Sequence, residues 1–262
     1  MDKFKGRTAF ITGGASGIGR QTALMFAAEG ANIAIVTSTI IDRAEEAAAQ
    51  IRSEYGVGAI ALKCDVRCEE DVKAAVEKTV ETFGSLDIAF NNAGVGPDGV
   101  NIPLAPLHEL EAKDWNWVLD VDLTGVFHCI KHEVIQMRKQ GGGSIVCTAS
   151  TAGMKPMGNF GAYGPAKAGL IQLTKAAAVE NKDFGIRCNI VCPGPTMGTG
   201  MADRMFGTPE EIAQRERENP GRPGPKMGVP EDIGKVVLWL CSDEAARTTG
   251  NVITVDGGMD II

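Results

Sequence analysis

The sequence predicts a doubly wound α/β fold, one parallel sheet of seven strands with helices on both faces. Three observations carry that prediction. Short apolar, β-branched runs recur along the chain, longer segments of helical period separate them, and no linker-like or repeated stretch divides its 262 residues. Continuous apolar strands alternating with helices mean a parallel sheet buried on both sides. A length of 262 suits one large domain or two small ones, so the lack of a linker assigns 1–262 to a single domain.

Taken in order, the first strand is Thr8-Ala9-Phe10-Ile11-Thr12, which runs into glycines and a helix over 19–30. A strand at 32–36 precedes a helix at 42–55, and a strand at 59–63 precedes a helix at 69–83. The fourth strand, 86–90, is followed after a loop by one long helix over 114–139. The strand 143–148 leads to a helix over 163–184, the strand 187–191 to a helix over 230–242, and a last strand lies at 252–255. The stretch from Pro193 to Pro230 breaks this rhythm with seven prolines, many glycines and charged pieces such as Glu210-Glu211 and Arg215-Glu216-Arg217-Glu218. A loop this long inside a compact domain is usually functional or mobile. Its middle predicts a short helix over 208–218, with Thr208 as N-cap and Pro209 in the first helical position. The segment at about 195–228 is therefore expected to be a lid over a binding site.

Hydrophobic residues at 44% and charged residues at 23% supply an ordinary globular core. A net charge of −7 argues against nucleic acid or an anionic membrane as the main partner. No apolar stretch is long enough to span a bilayer, and the start of the chain lacks an export signal, so the expectation is a cytoplasmic protein. The cysteines at 64, 68, 129, 147, 188, 192 and 241 are odd in number and scattered, which reads as reduced thiols packed as small hydrophobes. Cys64-x3-Cys68, Cys188-x3-Cys192 and the His128-Cys129…His132 cluster lack the tight paired spacing of structural zinc, and no metal is expected.

The motifs that carry chemistry sit at strand ends. The first strand closes in Thr12-Gly13-Gly14-Ala15-Ser16-Gly17-Ile18-Gly19 before a helix. Glycines there let the chain turn sharply and let a pyrophosphate approach bare N–H groups at a helix N-terminus. Gly13, Ser16, Gly17, Ile18 and Gly19 are thus candidate dinucleotide contacts. Asn92, Ala93 and Gly94 follow the fourth strand, where a parallel sheet presents its C-terminal edge to ligand. Asp65 and Val66 close the third strand, where the carboxylate can accept a hydrogen bond from an adenine amino group. Tyr163 and Lys167, four apart, share a helix face, and Ser150 lies 13 residues upstream at a strand end.

In order and spacing, 12–19, 91–94, Ser150, Tyr163-x3-Lys167, Pro193-Gly194 and Asp256-Gly257-Gly258 resemble the motif set of the short-chain dehydrogenase/reductase family over essentially the whole chain. The resemblance implies a Rossmann-type fold and a nicotinamide cofactor. It implies that Ser150 hydrogen-bonds the reacting oxygen, Tyr163 exchanges the proton, and Lys167 binds the nicotinamide ribose while acidifying the phenol. Use of a phenol near pH 7 asks for a pKa lowered by about three, worth about 4 kcal/mol. A neighbouring ammonium and the oxidised nicotinamide can supply that. Pro193, Gly194 and Thr196 would hold the carboxamide. The chain departs from the family at Asp122, where asparagine is usual. If the Asp122 carboxylate faces Lys167, it weakens the field that acidifies Tyr163. If only the backbone of this position matters, Asp122 can substitute for the asparagine, and as a solvated side chain it would have no role.

Cofactor choice rests on Thr37-Ser38-Thr39 after the second strand, which offers no carboxylate for a ribose 2′-hydroxyl and none to repel a 2′-phosphate. With Arg43 nearby this favours NADP(H) over NAD(H), although Ser16 stands where NADP-preferring relatives often carry a cation. Pocket candidates are Val95 and Gly96, Met154 and Met157, and Met197, Met201, Met205 and Phe206 of the lid. Methionines suit irregular apolar ligands. The expected substrate is a bulky apolar secondary alcohol or ketone, such as a hydroxysteroid or polycyclic compound. The rival readings are a 3-oxoacyl-thioester reductase docking an acidic carrier protein on Arg204, Arg215, Arg217 and Arg222, and a non-catalytic cofactor-sensing or scaffold protein. Kinship also implies a homotetramer built through the helices at 114–139 and 163–184 and the C-terminal strand, with Met259-Asp260-Ile261-Ile262 in an interface.

Overall fold

Seven short runs, nearly all of them apolar or β-branched, become strands: β1 (Thr8–Thr12), β2 (Asn32–Thr37), β3 (Ala59–Lys63), β4 (Ile88–Asn91), β5 (Gly143–Thr148), β6 (Ile186–Pro193) and β7 (Val252–Val255). The computed structural model describes residues 2–218 and 227–259. All neighbouring strands pair in parallel, in the order β3-β2-β1-β4-β5-β6-β7. The order reverses between β1 and β4, so the chain opens a crevice at their carboxyl ends, the point where doubly wound sheets bind ligands.

Period-two alternation splits the strand side chains between two cores. Ile11, Ile33, Ile35 and Phe90 pack with α1 (Gly17–Ala28), α2 (Ile41–Tyr55) and α9 (Pro230–Cys241) on one face. Phe10, Ala34, Ile145 and Ile190 pack with α3 (Glu69–Phe83), α5 (Gly125–Gln140) and α6 (Tyr163–Asn181) on the other. Each fully buried Ile or Phe contributes about 1.5–3 kcal/mol, so both layers are firmly held to the sheet.

Two features depart from the expected elements. The helix expected to run unbroken over 114–139 begins as α4 (Ala112–Leu119) and passes through one π-helical turn, Asp120–Thr124, before α5. The wider turn carries Asp122 into the interior, where none of it is exposed; such π turns commonly mark functional sites. The second departure is a short helix, α7 (Gly200–Phe206), in the stretch where only one helix is expected. The expected helix follows as α8 (Pro209–Glu218). Thr208 caps it: its Oγ1 accepts the Glu211 N–H at 3.3 Å, and Glu211 Oε2 accepts the Thr208 N–H at 2.7 Å.

Around α7 and α8 the chain leaves and re-enters the domain through a narrow root. Met197 N–H donates to the Gly228 carbonyl and Gly228 N–H to the Pro195 carbonyl, both at 2.9 Å. Residues 219–226 of the expected lid, Arg222 among them, and the terminal Asp260-Ile261-Ile262 lie outside the described residues. All seven cysteines are free thiols and six are buried. Among the described residues no group of three His, Cys, Asp or Glu side chains is placed to hold a metal ion, and no helix is long and apolar enough to cross a membrane.

Candidate active site

The crevice begins at the turn after β1. Gly13 turns at φ 65°, a region open to glycine, and α1 then starts at Gly17. A Cβ on Gly19 would fall 2.3 Å from the Gly13 carbonyl oxygen, so α1 can lie this close to the turn only through glycine. Ser16, at the N-cap, makes no side-chain cap, which leaves the first N–H groups of α1 facing the crevice for an anion.

Threonines and Asn92 stitch three strand ends together. Thr12 Oγ1 accepts the N–H groups of Asn92 and Ala93, each at 3.0 Å. The Asn92 side chain reaches back to the Thr12 carbonyl at 3.4 Å and accepts from Thr148 Oγ1 at 3.4 Å. One residue earlier, at the end of β4, the Asn91 amide donates to Glu133 Oε2 on α5 at 2.9 Å. Glu133 is fully buried, and burial pushes its carboxyl up to about 8.

The polar centre is assembled from four segments. Lys167, 3% exposed on α6, donates from Nζ to the Thr148 carbonyl at 2.9 Å and lies 3.2 Å from Asp122 Oδ2. Asp122 Oδ1 accepts the Val95 N–H at 2.7 Å. The carboxylate therefore faces Lys167, the first of the two alternatives open in the sequence, and the solvated one is excluded. A Cβ on Gly94 would stand 3.3 Å from Nζ, so glycine keeps this corner open. Tyr163 opens α6 with its ring centroid 5.6 Å from Nζ. The Ser150 hydroxyl is within hydrogen-bonding reach of the Tyr163 phenol, and it also accepts the Ala152 N–H at 3.1 Å.

The electrostatics follow from burial and from Asp122. Burial alone would push the Lys167 ammonium down, but Asp122 and Tyr163 outweigh it and hold it above the usual lysine range. Burial pushes the Tyr163 phenol up; Lys167 pulls it down, Asp122 pushes it up, and the result lies above the ordinary tyrosine value. Lowering of the phenol, expected from Lys167, is thus opposed by both burial and the residue that replaces asparagine.

Two connected cavities receive the sequence candidates. The first, about 300 Å³, is lined by Gly13, Ser16, Gly17, Ile18, Asn92, Ala93, Gly94, Asp122, Ser150, Tyr163, Lys167, Pro193, Gly194 and Thr196, with Met157, Met201, Met205 and Phe206. The second, about 750 Å³, takes in Thr37, Ser38, Thr39, Arg43, Asp65, Val66, Val95 and Gly96. Gly19 lies behind the turn and lines neither, and Met154 is exposed at 48% and stands outside both, so it is not part of the pocket wall. Asp65 is engaged by its neighbour: Arg67 Nε and the Arg67 N–H both donate to Oδ1 at 3.0 Å, holding the carboxyl below the usual range.

Sequence reasoning missed Phe160 and Arg67, and named Arg204 only as a docking cation of the rival reading. Phe160 lines the first cavity, and the arginines the second. Phe160 stands three residues before Tyr163, which was a usable signal; nothing local marks the arginines.

A glycine turn at a sheet switch point, opening onto a Tyr–Lys pair whose lysine is buried, with a serine beside it, defines a dinucleotide-dependent oxidoreductase. Comparison with known proteins narrows the class. A family model described as enoyl-(acyl carrier protein) reductase matches residues 13–260. The chain is 40% identical to the short chain dehydrogenase/reductase astE of Aspergillus oryzae, over 98% of this chain and 96% of the relative. It is also 40% identical to a cyclohexanol dehydrogenase of an Acinetobacter species, over 98% of this chain and 96% of that one. Among solved structures, an NAD+-bound xylitol dehydrogenase superposes with a TM-score of 0.86 at 34% identity, over 98% of this chain and 100% of that one. The chain belongs to the short-chain dehydrogenase/reductase family. It is an alcohol dehydrogenase and ketone reductase that works with a nicotinamide cofactor.

Proposed function

We propose that the substrate is a cyclic, largely apolar secondary alcohol or its ketone, and that the cofactor is NADP(H) rather than NAD(H). The observation that carries the reading is one cavity holding Ser150, Tyr163 and Lys167 on one side and Met157, Phe160, Met201, Met205 and Phe206 on the other. The nicotinamide end of the cofactor shares those 300 Å³, which favours a substrate of about one ring over a hydroxysteroid. The cyclohexanol dehydrogenase relative points the same way.

In this reading Gly13, Gly17, Ile18 and the α1 N-terminus hold the pyrophosphate, Asn92 to Gly94 the adenosine ribose, and Pro193, Gly194 and Thr196 the carboxamide. Ser150 donates to the substrate oxygen. Tyr163 takes the hydroxyl proton in oxidation and returns it in reduction. Lys167, kept charged by Asp122, binds the nicotinamide ribose and stabilises the phenolate. When bound, the oxidised nicotinamide accepts the hydride and brings a positive charge beside the phenol. Asp122 moderates that acidification, so Asp122→Asn should move the rising limb of the pH–rate profile for alcohol oxidation to lower pH; superimposable profiles would refute the role.

NADP(H) is supported by Ser38, Thr39 and Arg43 on the wall of the second cavity and by the lack of a carboxylate directly after β2. Arg204, one of the arginines a carrier protein would need, is instead tied to Asp98 at 2.6 Å, which weakens the thioester-reductase reading. Exposed Phe127 and Ile135 on α5 and Val179 on α6 support the homotetramer, and the cytoplasm remains the proposed location. The segment 195–228 acts as the substrate lid. A panel of cyclic and linear alcohols, assayed with NADP+ and NAD+, tests the reading. Cyclohexanols should turn over best, with the lower KM for NADP+. Preference for polyols such as xylitol, or a lower KM for NAD+, would overturn the respective half. Tight cofactor binding with no turnover of any alcohol would revive the scaffold reading.

A further inference from the structure

The helix α7 lines both cavities with different side chains. Met205 and Phe206 face the first, Asp203 and Arg204 the second, and Met201 both. Its start rests on the glycine turn: a Cβ on Gly17 would lie 3.4 Å from Thr199 Cγ2. Its far end reaches the loop after β4, where Arg204 Nε donates to Asp98 Oδ2 at 2.6 Å across 106 residues of sequence. Met201 also packs there, within 2.8 Å of where a Gly96 Cβ would stand. Among the described residues the polar ties of the segment include its root at 195–197 and 228 and this ion pair on the opposite wall of the crevice.

Asp98 is a prepared anchor. Its side chain is 2% exposed, and Oδ1 accepts the N–H groups of Val100, Asn101 and Ile102 at 3.0, 2.7 and 3.3 Å. The Asn101 amide donates to Oδ2 at 2.8 Å. Burial would push the carboxyl up, but the Asn101 side chain and the three backbone N–H groups outweigh it and hold it well below the usual range. The charge is thus present at any working pH. The loop supplies most of its bonds, so Arg204 is the one partner that arrives from across the crevice.

We propose that Asp98 and Arg204 are a positioning pair whose contact holds α7 across the bound dinucleotide, so that one bond both retains the cofactor and sets Met201 and Met205 against the substrate. The proposal rests on the reading of the crevice as the nicotinamide site and of α7 as part of its cover. Opening the crevice then requires the pair to part, and conformational release of this kind limits turnover in many enzymes.

Stopped-flow fluorescence of NADPH and NADH release tests this in the parent, in Arg204→Met, Arg204→Lys and Asp98→Asn. Arg204→Met keeps the aliphatic stem and leaves the Asp98 loop capped. It should release reduced cofactor about tenfold faster, the effect of losing about 1.4 kcal/mol from a half-exposed charge-assisted bond. With cyclohexanol as probe, KM should rise while a deuterium isotope effect on kcat grows, because hydride transfer begins to limit. Arg204→Lys should recover part of the slow release, and Asp98→Asn should behave like Arg204→Met. Unchanged release in Arg204→Met and Asp98→Asn, with or without a lower melting temperature, would reduce the pair to a structural contact and overturn the proposal. A parent that binds neither NADPH nor NADH would overturn the cofactor reading and the pair's role together.

Discussion

Two walls of the same crevice are built on opposite plans. The sheet-edge wall joins Thr12, Asn92, Thr148, Lys167 and Asp122 by buried bonds from β1, β4, β5, the π turn and α6. The wall formed by α7 is half-exposed, packs through Thr199 and methionines, and is tied to the rest of the domain by its root and the Asp98–Arg204 ion pair. Burial makes the first wall rigid because its polar groups can find partners only within the wall. The second can shift at modest cost, since its contacts are apolar, flexible or solvated. The proposed chemistry belongs to the first wall and the proposed selection of substrate to the second.

Changes in the rigid wall should therefore cost most. Tyr163→Phe removes the proton-exchanging hydroxyl and should lower kcat by about 10³-fold or more, with the melting curve close to that of the parent. A variant retaining a tenth of the activity would move the proton role to another group. Lys167→Ala leaves Asp122 charged and unpaired in the interior, which should destabilise the fold by about 3–5 kcal/mol. Adding Asp122→Asn to it should recover most of that stability and none of the activity. Urea midpoints of the single and double variants decide the point.

Glu133 gives the rigid wall a pH signature. Its carboxyl titrates at about 8 when folded, against an ordinary value of 4.5. Folding thus takes up a proton. The stability this neutral group permits is complete below pH 4.5, falls as pH rises, and levels off near 8. Within that window the slope should be about 1.4 kcal/mol per pH unit. Glu133→Gln keeps a neutral partner for Asn91 and lacks that slope, so the parent-minus-variant difference, measured by urea unfolding at pH 5, 6.5 and 8, should carry it. A difference independent of pH would mean that Glu133 is ionised in the fold.

The mobile wall should yield smaller, substrate-dependent effects. Met205→Ala should raise KM for cyclohexanol several-fold with little change in kcat and none in stability. A large fall in kcat instead would show that α7 helps place the reacting groups, and the contrast between the walls would shrink.

The legible part of this protein was the part written locally. Strands came from short continuous apolar, β-branched runs and helices from the period of 3.6, and their alternation led to the parallel sheet. The glycine turn, Ser150, Tyr163 and Lys167 were found from spacing along a strand end and a helix face, because a parallel sheet brings such ends to one edge whatever the details of packing. Boundaries were less certain: β4 starts at Ile88 rather than two residues earlier, since Leu86 is buried but precedes the ladder.

What the tertiary structure alone decided has no local period. Asp122 meets Lys167 because an extra residue in one helical turn rotates it inward. Met154 falls outside the cavity and Phe160 inside it, according to how the chain crosses from a 3₁₀ turn to α6. Asp98 finds Arg204 across 106 residues. Side chains that meet only after the sheet has formed are chosen by packing and by the need to satisfy buried charge, and neither is written in the residues beside them.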